Sequence, residues 1–240
     1  MGRSERRKAT GAGSEEKQSG GESLLEVVVI VVVAVGLALL IQAFLVKPYR
    51  IPSGSMLPTL KIGQRILVNR VEGRFGEPSR GDIVVFDPPA GDGEPECGVR
   101  NGEQYAPGKI YREGAEENAD VKMPCPLPAP GKFDETYVKR VVGMPGDSLA
   151  VRRGRVWING RQLNEPYLPG DDDCRNDQDI DSDCNFPTAI TVPAGHYFMM
   201  GDNRNDGGSY DSRFWGPIAA DAVIGNVFFT YWPPQKFGPS

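Results

Sequence analysis

The sequence predicts a mostly β domain behind a single apolar helix, and two observations predict it. From Lys47 onward, short apolar runs are separated by Gly, Pro and Asp, and no sustained 3.6-residue periodicity competes with them. Before that point, residues 24–46 are apolar except for Glu26 and Gln42. A chain of 240 residues fits one or two domains.

Residues 1–23 are rich in Gly, Ser and charge, with almost nothing to bury, and are expected to be a disordered tail. Residues 24–46 follow as a transmembrane helix. At 1.5 Å per residue they reach ~34 Å, enough for a hydrocarbon core of ~30 Å, with Glu26 near the headgroups. A cleavable signal peptide has a shorter apolar core, of about 7–15 residues, and small residues at its cleavage site. Here the run ends in Phe44, Leu45, Val46, Lys47 and Pro48. A buried core helix would show a polar face, and this stretch has none.

Basic residues flank the run on both sides. Arg3, Arg6, Arg7, Lys8 and Lys17 precede it; Lys47, Arg50, Lys61 and Arg65 follow, a slight bias toward a cytoplasmic N-terminus. All four cysteines (Cys97, Cys125, Cys174 and Cys184) come after the run, in loop-like sequence, which suits disulfides in an oxidising, extracytoplasmic compartment. Of the three possible pairings, the local ones, Cys97–Cys125 and Cys174–Cys184, are expected. A metal centre is the alternative, but there is no CxxC spacing and His196 is the single histidine, so no metal or cofactor is expected. Net charge is −5, with no basic stripe after the apolar run, which argues against nucleic acid as a partner.

The domain at 47–240 is expected to be β-rich. Strands are read at 65–68, 83–86, 138–142, 155–158, 197–200 and 223–231. Asn159-Gly160 after the fourth predicts a type I′ hairpin. Residues 87–136 read as a loop insertion rich in Pro, Gly and acid. It is a surface excursion pinned by Cys97–Cys125, or else a lid or partner site. A second insertion, 170–185, holds Asp171, Asp172, Asp173, Asp177, Asp179, Asp181 and Asp183. It reads as a solvated acidic loop; a calcium loop would need Gly at Ser182 and Glu at Thr188.

Chemistry centres on Ile51-Pro52-Ser53-Gly54-Ser55-Met56-Leu57-Pro58-Thr59-Leu60, a stiff turn able to present a hydroxyl. A serine needs an adjacent base. His196 lies in a strand-like run, where a structural role is ordinary, which leaves lysine. Lys139 alone among nine lysines sits inside an apolar strand, with Tyr137 and Val141 on its face. At an ordinary pKa only about 1 lysine in 2500 is neutral at pH 7, and desolvation lowers that pKa by ~3–5 units. On the residues alone, an edge-strand charge facing water competes with a catalytic base.

Four blocks occur in order: the turn above, Tyr137-Val138-Lys139-Arg140-Val141-Val142-Gly143-Met144-Pro145-Gly146-Asp147, Gly201-Asp202-Asn203-Arg204, and Asp211-Ser212-Arg213. Together they resemble the bacterial type I signal peptidases, membrane-anchored serine proteases that use a Ser–Lys pair. The resemblance covers most of residues 24–233, with gaps at the two insertions. It implies Ser55 as nucleophile, Lys139 as base and Ser53 as an oxyanion-hole contributor beside the Ser55 N–H. Asp211 and Arg213 would support the site. Ser209 matches the serine that contacts the lysine, with Ser212 as the alternate, because Asn205-Asp206-Gly207-Gly208 carries two extra residues. Tyr49, Ile51, Pro52, Met56, Val85 and Val138 match shallow apolar substrate pockets, and each is equally readable as core. The implied partners are the lipid bilayer and preprotein signal peptides with small residues at the cleavage site. A self-cleaving Ser–Lys repressor or a tethered binding domain competes with this reading, but neither accounts for the anchor and the Ser55 and Lys139 blocks together.

Overall fold

The computed structural model describes residues 20–71, 76–89, 99–100, 103–104, 123–129, 135–170, 172–176 and 182–239. Cys97, Asp177, Asp179, Asp181 and much of the 87–136 insertion lie outside them. The chain divides into two units, Met1–Gln42 and Ala43–Ser240.

The first unit holds most of helix α1, Gly20–Phe44. Its described side chains, 24–39, are all exposed. Among the described residues no helix is long and apolar enough to cross a membrane. The helix also stops short of the expected end at 46, because Val46 already pairs with Asn69 as the first residue of a strand.

The second unit carries β1 Val46–Arg50, β2 Arg65–Asn69, β3 Ile83–Phe86, β4 Val99–Arg100, β5 Glu103–Gln104, β6 Tyr137–Gly143, β7 Ser148–Arg152, β8 Arg155–Ile158, β9 Arg161–Gln162, β10 Phe186–Thr191, β11 His196–Met200, β12 Ile218–Ala219, β13 Val223–Trp232 and β14 Gly238–Pro239, with the short helix α2 at Ser212–Trp215. A large antiparallel sheet runs β1-β2-β13-β3-β6-β11-β12, with β14 beside β13. A smaller sheet runs β10-β7-β8-β9, and β4 pairs with β5. The mostly β expectation holds. Pro48 is tolerated because β1 is an edge strand.

Alternation along the central strands sorts the core. β3 is buried on both faces: Val84 and Phe86 join Val141, Tyr197, Met199 and Trp215 on one side. Ile83 and Val85 join Ile51, Met56, Leu60, Ile66 and Val68 on the other. Between the two sheets, Val142, Phe198 and Met200 pack on Leu149, Val151, Val156, Phe186 and Ile190. The hairpin read at Asn159-Gly160 is present, with φ +51° and +77°, the left-handed pair that a type I′ turn requires.

Cys174 and Cys184 form a disulfide with Cα atoms 5.2 Å apart. Cys125 is also disulfide-bonded, and its expected partner Cys97 lies outside the described residues. The 87–136 insertion is not wholly a surface excursion. Its return leg, 123–129, buries Cys125 and Ala129 and bonds to the α2 segment, Cys125 N to Arg213 O at 3.0 Å and Ala129 N to Trp215 O at 2.8 Å. Thr188 lies in β10.

Candidate active site

Lys139 faces Val84 across the β3–β6 pair. Directly opposed residues share a face, so its side chain enters the core side that Tyr137 and Val141 occupy. It is 3 % exposed. Loss of water lowers its pKa from 10.5 to about 8; Asp211 and Asp202 pull it back up, and the Arg213 guanidinium pushes it further down. Its ammonium nitrogen lies 5.8 Å from the centre of the Tyr137 ring.

Asp211 is the hub on the facing side. It caps α2, accepting the Arg213 N–H. The same carboxylate accepts Arg213 Nε at 2.8 Å, Arg213 Nη2 at 3.0 Å, Gly201 N at 3.1 Å and Ser209 Oγ at 2.8 Å. Burial alone would raise its pKa. The Arg213 guanidinium, aided by Lys139 and the Gly201 N–H, overrides that and holds the carboxyl below its ordinary value.

The serine turn is built separately. Leu57 N bonds Gly54 O at 3.1 Å and Leu60 N bonds Met56 O at 2.8 Å. Met56 plugs the turn into the cluster of Ile51, Leu60, Ile66 and Val85. Ser55 stays half-buried and Ser53 exposed, with their Oγ atoms 3.4 Å apart. The Ser55 N–H meets no acceptor among the described residues.

One segment stitches turn to strand. Asn203 N donates to Ser55 O at 3.0 Å and Asn203 Nδ2 to Gly54 O at 3.2 Å. Asp202 accepts Thr59 Oγ1 at 2.6 Å, and it accepts Arg140 Nε at 2.9 Å and Nη2 at 2.6 Å. Arg140, next to Lys139 on β6, lies 3.8 Å over the Tyr167 ring. Gly201 is squeezed so closely between Ser55 O and Ser209 Oγ that a Cβ there would collide with both. Arg204, fully buried, then ties the segment down through Gly201 O at 2.8 Å, Gly154 O at 2.6 Å and Glu165 at 2.5 Å.

Ser209, Asp211 and Arg213 thus share one hydrogen-bonded network whose charges act on Lys139, and the Ser55 carbonyl meets the 201–203 segment through Asn203 N. Ser212 is elsewhere engaged, its Oγ accepting Met199 N at 3.0 Å. Of the expected substrate residues, Ile51, Met56 and Val85 are buried in the core, Tyr49 and Val138 are half-buried and Pro52 is exposed. His196 places Nδ1 2.8 Å from Ala194 O, a local structural contact. A cavity of about 650 Å³ beside Arg152, Arg155, Trp157 and Leu168 is lined by none of the expected site residues.

Sequence reasoning did not single out Thr59, Arg140, Glu165 or Tyr167, and treated Asp202, Asn203 and Arg204 only as a block. Arg140 and Asp202 carried a usable signal, since each is charged beside an apolar run. Their pairing spans 62 residues and is visible only in the fold.

Comparison with known proteins gives the family. The family model described as signal peptidase, peptidase S26, matches residues 24–232. A signal peptidase I from Leptolyngbya laminosa is 32% identical over 90% of this chain and 83% of its own length. Signal peptidase IB from Staphylococcus aureus is 30% identical over 90% of this chain and 93% of its own. A crystal structure of a signal peptidase I from Enterococcus faecalis aligns at 25% identity over 62% of this chain and 96% of that one, with a TM-score of 0.35. The chain belongs to the signal peptidase family, peptidase S26, and is a protease of the signal peptidase I type.

Proposed function

We propose that this protein is a membrane-anchored endopeptidase that removes signal peptides from exported preproteins, with Ser55 as nucleophile and Lys139 as general base. The observation that carries this reading is the burial of Lys139. At a pKa of about 8, about one lysine in ten is neutral at pH 7.

Neutral Lys139 takes the hydroxyl proton as Ser55 Oγ attacks the scissile carbonyl carbon. The oxyanion is met by the Ser55 N–H, free of other acceptors among the described residues, and by the Ser53 hydroxyl. Collapse expels the amine of the mature protein, which takes the proton from Lys139. Lys139 next accepts a proton from the water that attacks the acyl ester; the bond to Ser55 Oγ breaks, Oγ takes that proton back from Lys139, and the signal peptide leaves as an acid that ionises in solvent. Ser209 supports the lysine better than Ser212 does, because Ser209 bonds the Asp211 carboxylate that acts on Lys139.

The substrate binds extended, with small side chains at its last and third-last signal-peptide positions, beside Tyr49, Pro52 and Val138. Ile51, Met56 and Val85 form the floor beneath. The anchor is the apolar stretch of α1, whose described side chains at 24–39 are exposed on every face and demand an apolar surrounding. The N-terminal tail is cytoplasmic and the domain at 47–240, with its insertion at 87–136, extracytoplasmic, in keeping with its disulfides.

The test incubates full-length protein in detergent with a preprotein bearing an Ala-x-Ala site, beside Ser55→Ala. Cleavage at that site by the unaltered protein alone supports the reading. Cleavage by both, or by neither while folded, removes it.

A further inference from the structure

Arg213 is fully buried, and one of its side-chain contacts comes from a region that the catalytic reading does not use. Its guanidinium grips Asp211 through Nε and Nη2 and donates from Nη2 to Ser209 O at 2.8 Å. The remaining arm, Nη1, donates to Asp183 O at 2.6 Å. Asp183 precedes Cys184, whose disulfide to Cys174 is itself fully buried. Asp183 is held a second time where its N–H donates to Asp206 Oδ1 at 2.9 Å, and Cys184 O accepts Gly154 N at 2.9 Å. The carbonyl that meets Arg213 is therefore fixed on both sides.

We propose that Asp183 and the Cys174–Cys184 disulfide are a positioning device for the peptidase site: the clip presses the Asp183 carbonyl onto Arg213, which fixes Asp211 and with it the charges around Lys139. This rests on the reading of Lys139 as the base. Freed from Asp183, Nη1 would be a buried donor of a charged group without an acceptor, a costly arrangement that the side chain relieves by turning toward water. The charged groups facing Lys139 are Asp211, Arg213 and Asp202, with the Tyr137 ring on its own strand. Withdrawal of Arg213 removes the one cation among them and leaves Asp211 less neutralised. Both changes favour the ammonium, so fewer molecules hold a neutral base at neutral pH.

The test is kcat/KM against pH, from neutral to alkaline, for the unaltered protein, Cys174→Ser/Cys184→Ser and Asp206→Ala, on the Ala-x-Ala preprotein in detergent. The acid limb should move up by about half a pH unit or more in the double variant and less in Asp206→Ala. Each alkaline plateau should stay within about two-fold of the original. A generally weakened fold would instead lower the rate at every pH. A limb unmoved in both variants overturns the proposal, whether the plateau is kept or lowered. If the double variant has no cooperative melt, Asp206→Ala decides alone. An unaltered protein with no limb near pH 8 fails earlier: it removes Lys139 as the base, and the positioning device with it.

Discussion

Ser55 sits half-buried on a turn beside exposed Ser53, whereas Lys139, at 3 % exposure, sits on a strand inside the core. The two are held by different clusters. Met56 plugs the turn into the group around Leu60 and Ile66, while Val84, Val141 and Trp215 lie on the lysine's face of the sheet. The difference teaches a division of labour. A hydroxyl that must meet a polypeptide has to be reachable, and an amine that must shed its proton has to be kept from water. Residues 201–203 bond the serine turn on one side and, on the other, Asp211 and the Arg140 that neighbours the lysine.

The largest effects should come from removing either partner. Ser55→Ala and Lys139→Ala should each lower kcat/KM by about 10⁴-fold or more, and the double variant should be no worse than either single one, as for groups that act as a unit. Additive losses, in a turnover assay, would separate the two residues. Next comes the exposed side alone: Ser53→Ala should cost about 10²–10³ in kcat with KM little changed. A rise in KM instead would make Ser53 a substrate contact.

The buried side can be tested without turnover. Lys139 has a folded pKa of about 8, below its ordinary 10.5, so the unfolded chain holds the proton more tightly across that window. Stability should therefore rise as pH climbs from 8 to 10.5, and below 8 the folded protein carries the full penalty of the buried cation. Lys139→Met should be more stable than the unaltered protein by about 3 kcal/mol at neutral pH, an advantage that fades toward pH 10.5. Urea denaturation at two pH values checks it, and a pH-independent difference contradicts a desolvated amine. Smallest is the link between the two sides. Gly201→Ala forces a methyl against Ser55 O and Ser209 Oγ, and a displaced turn should cost about 10²-fold in kcat/KM. Wild-type turnover in that variant would show that the contact does not matter.

Much of this layout was legible from residue order, but unevenly. Ile83–Phe86 and Arg155–Ile158 are strands with the bounds that their apolar runs suggested, because continuous Val, Ile and aromatic residues bounded by turn formers allow little else. Ser148–Arg152 escaped notice because its apolar stretch is only Leu149, Ala150 and Val151. Val46–Arg50 escaped because it carries Lys47, Pro48 and Arg50 at a sheet edge. Lys139 stood out as a lysine in an apolar strand. Arg140, Asp202, Arg204 and Glu165 did not, since charged residues read as surface until their partners are known. The Arg140–Asp202 and Arg204–Glu165 pairs join segments far apart in the chain. Cys174–Cys184 was expected as a local pair and is present.

The order of strands in the large sheet has a consequence for synthesis. β13 lies between β2 and β3, although it is made long after both. Until Val223–Trp232 has left the ribosome, β2 and β3 each lack the neighbour that completes their hydrogen bonding, and the cluster seating Met56 lacks Val227. Pairing across so long a stretch of chain is slow, because the intervening loop must first be closed at an entropic cost. A nascent chain therefore carries Ser55 and Lys139 well before the sheet that positions their segments is complete.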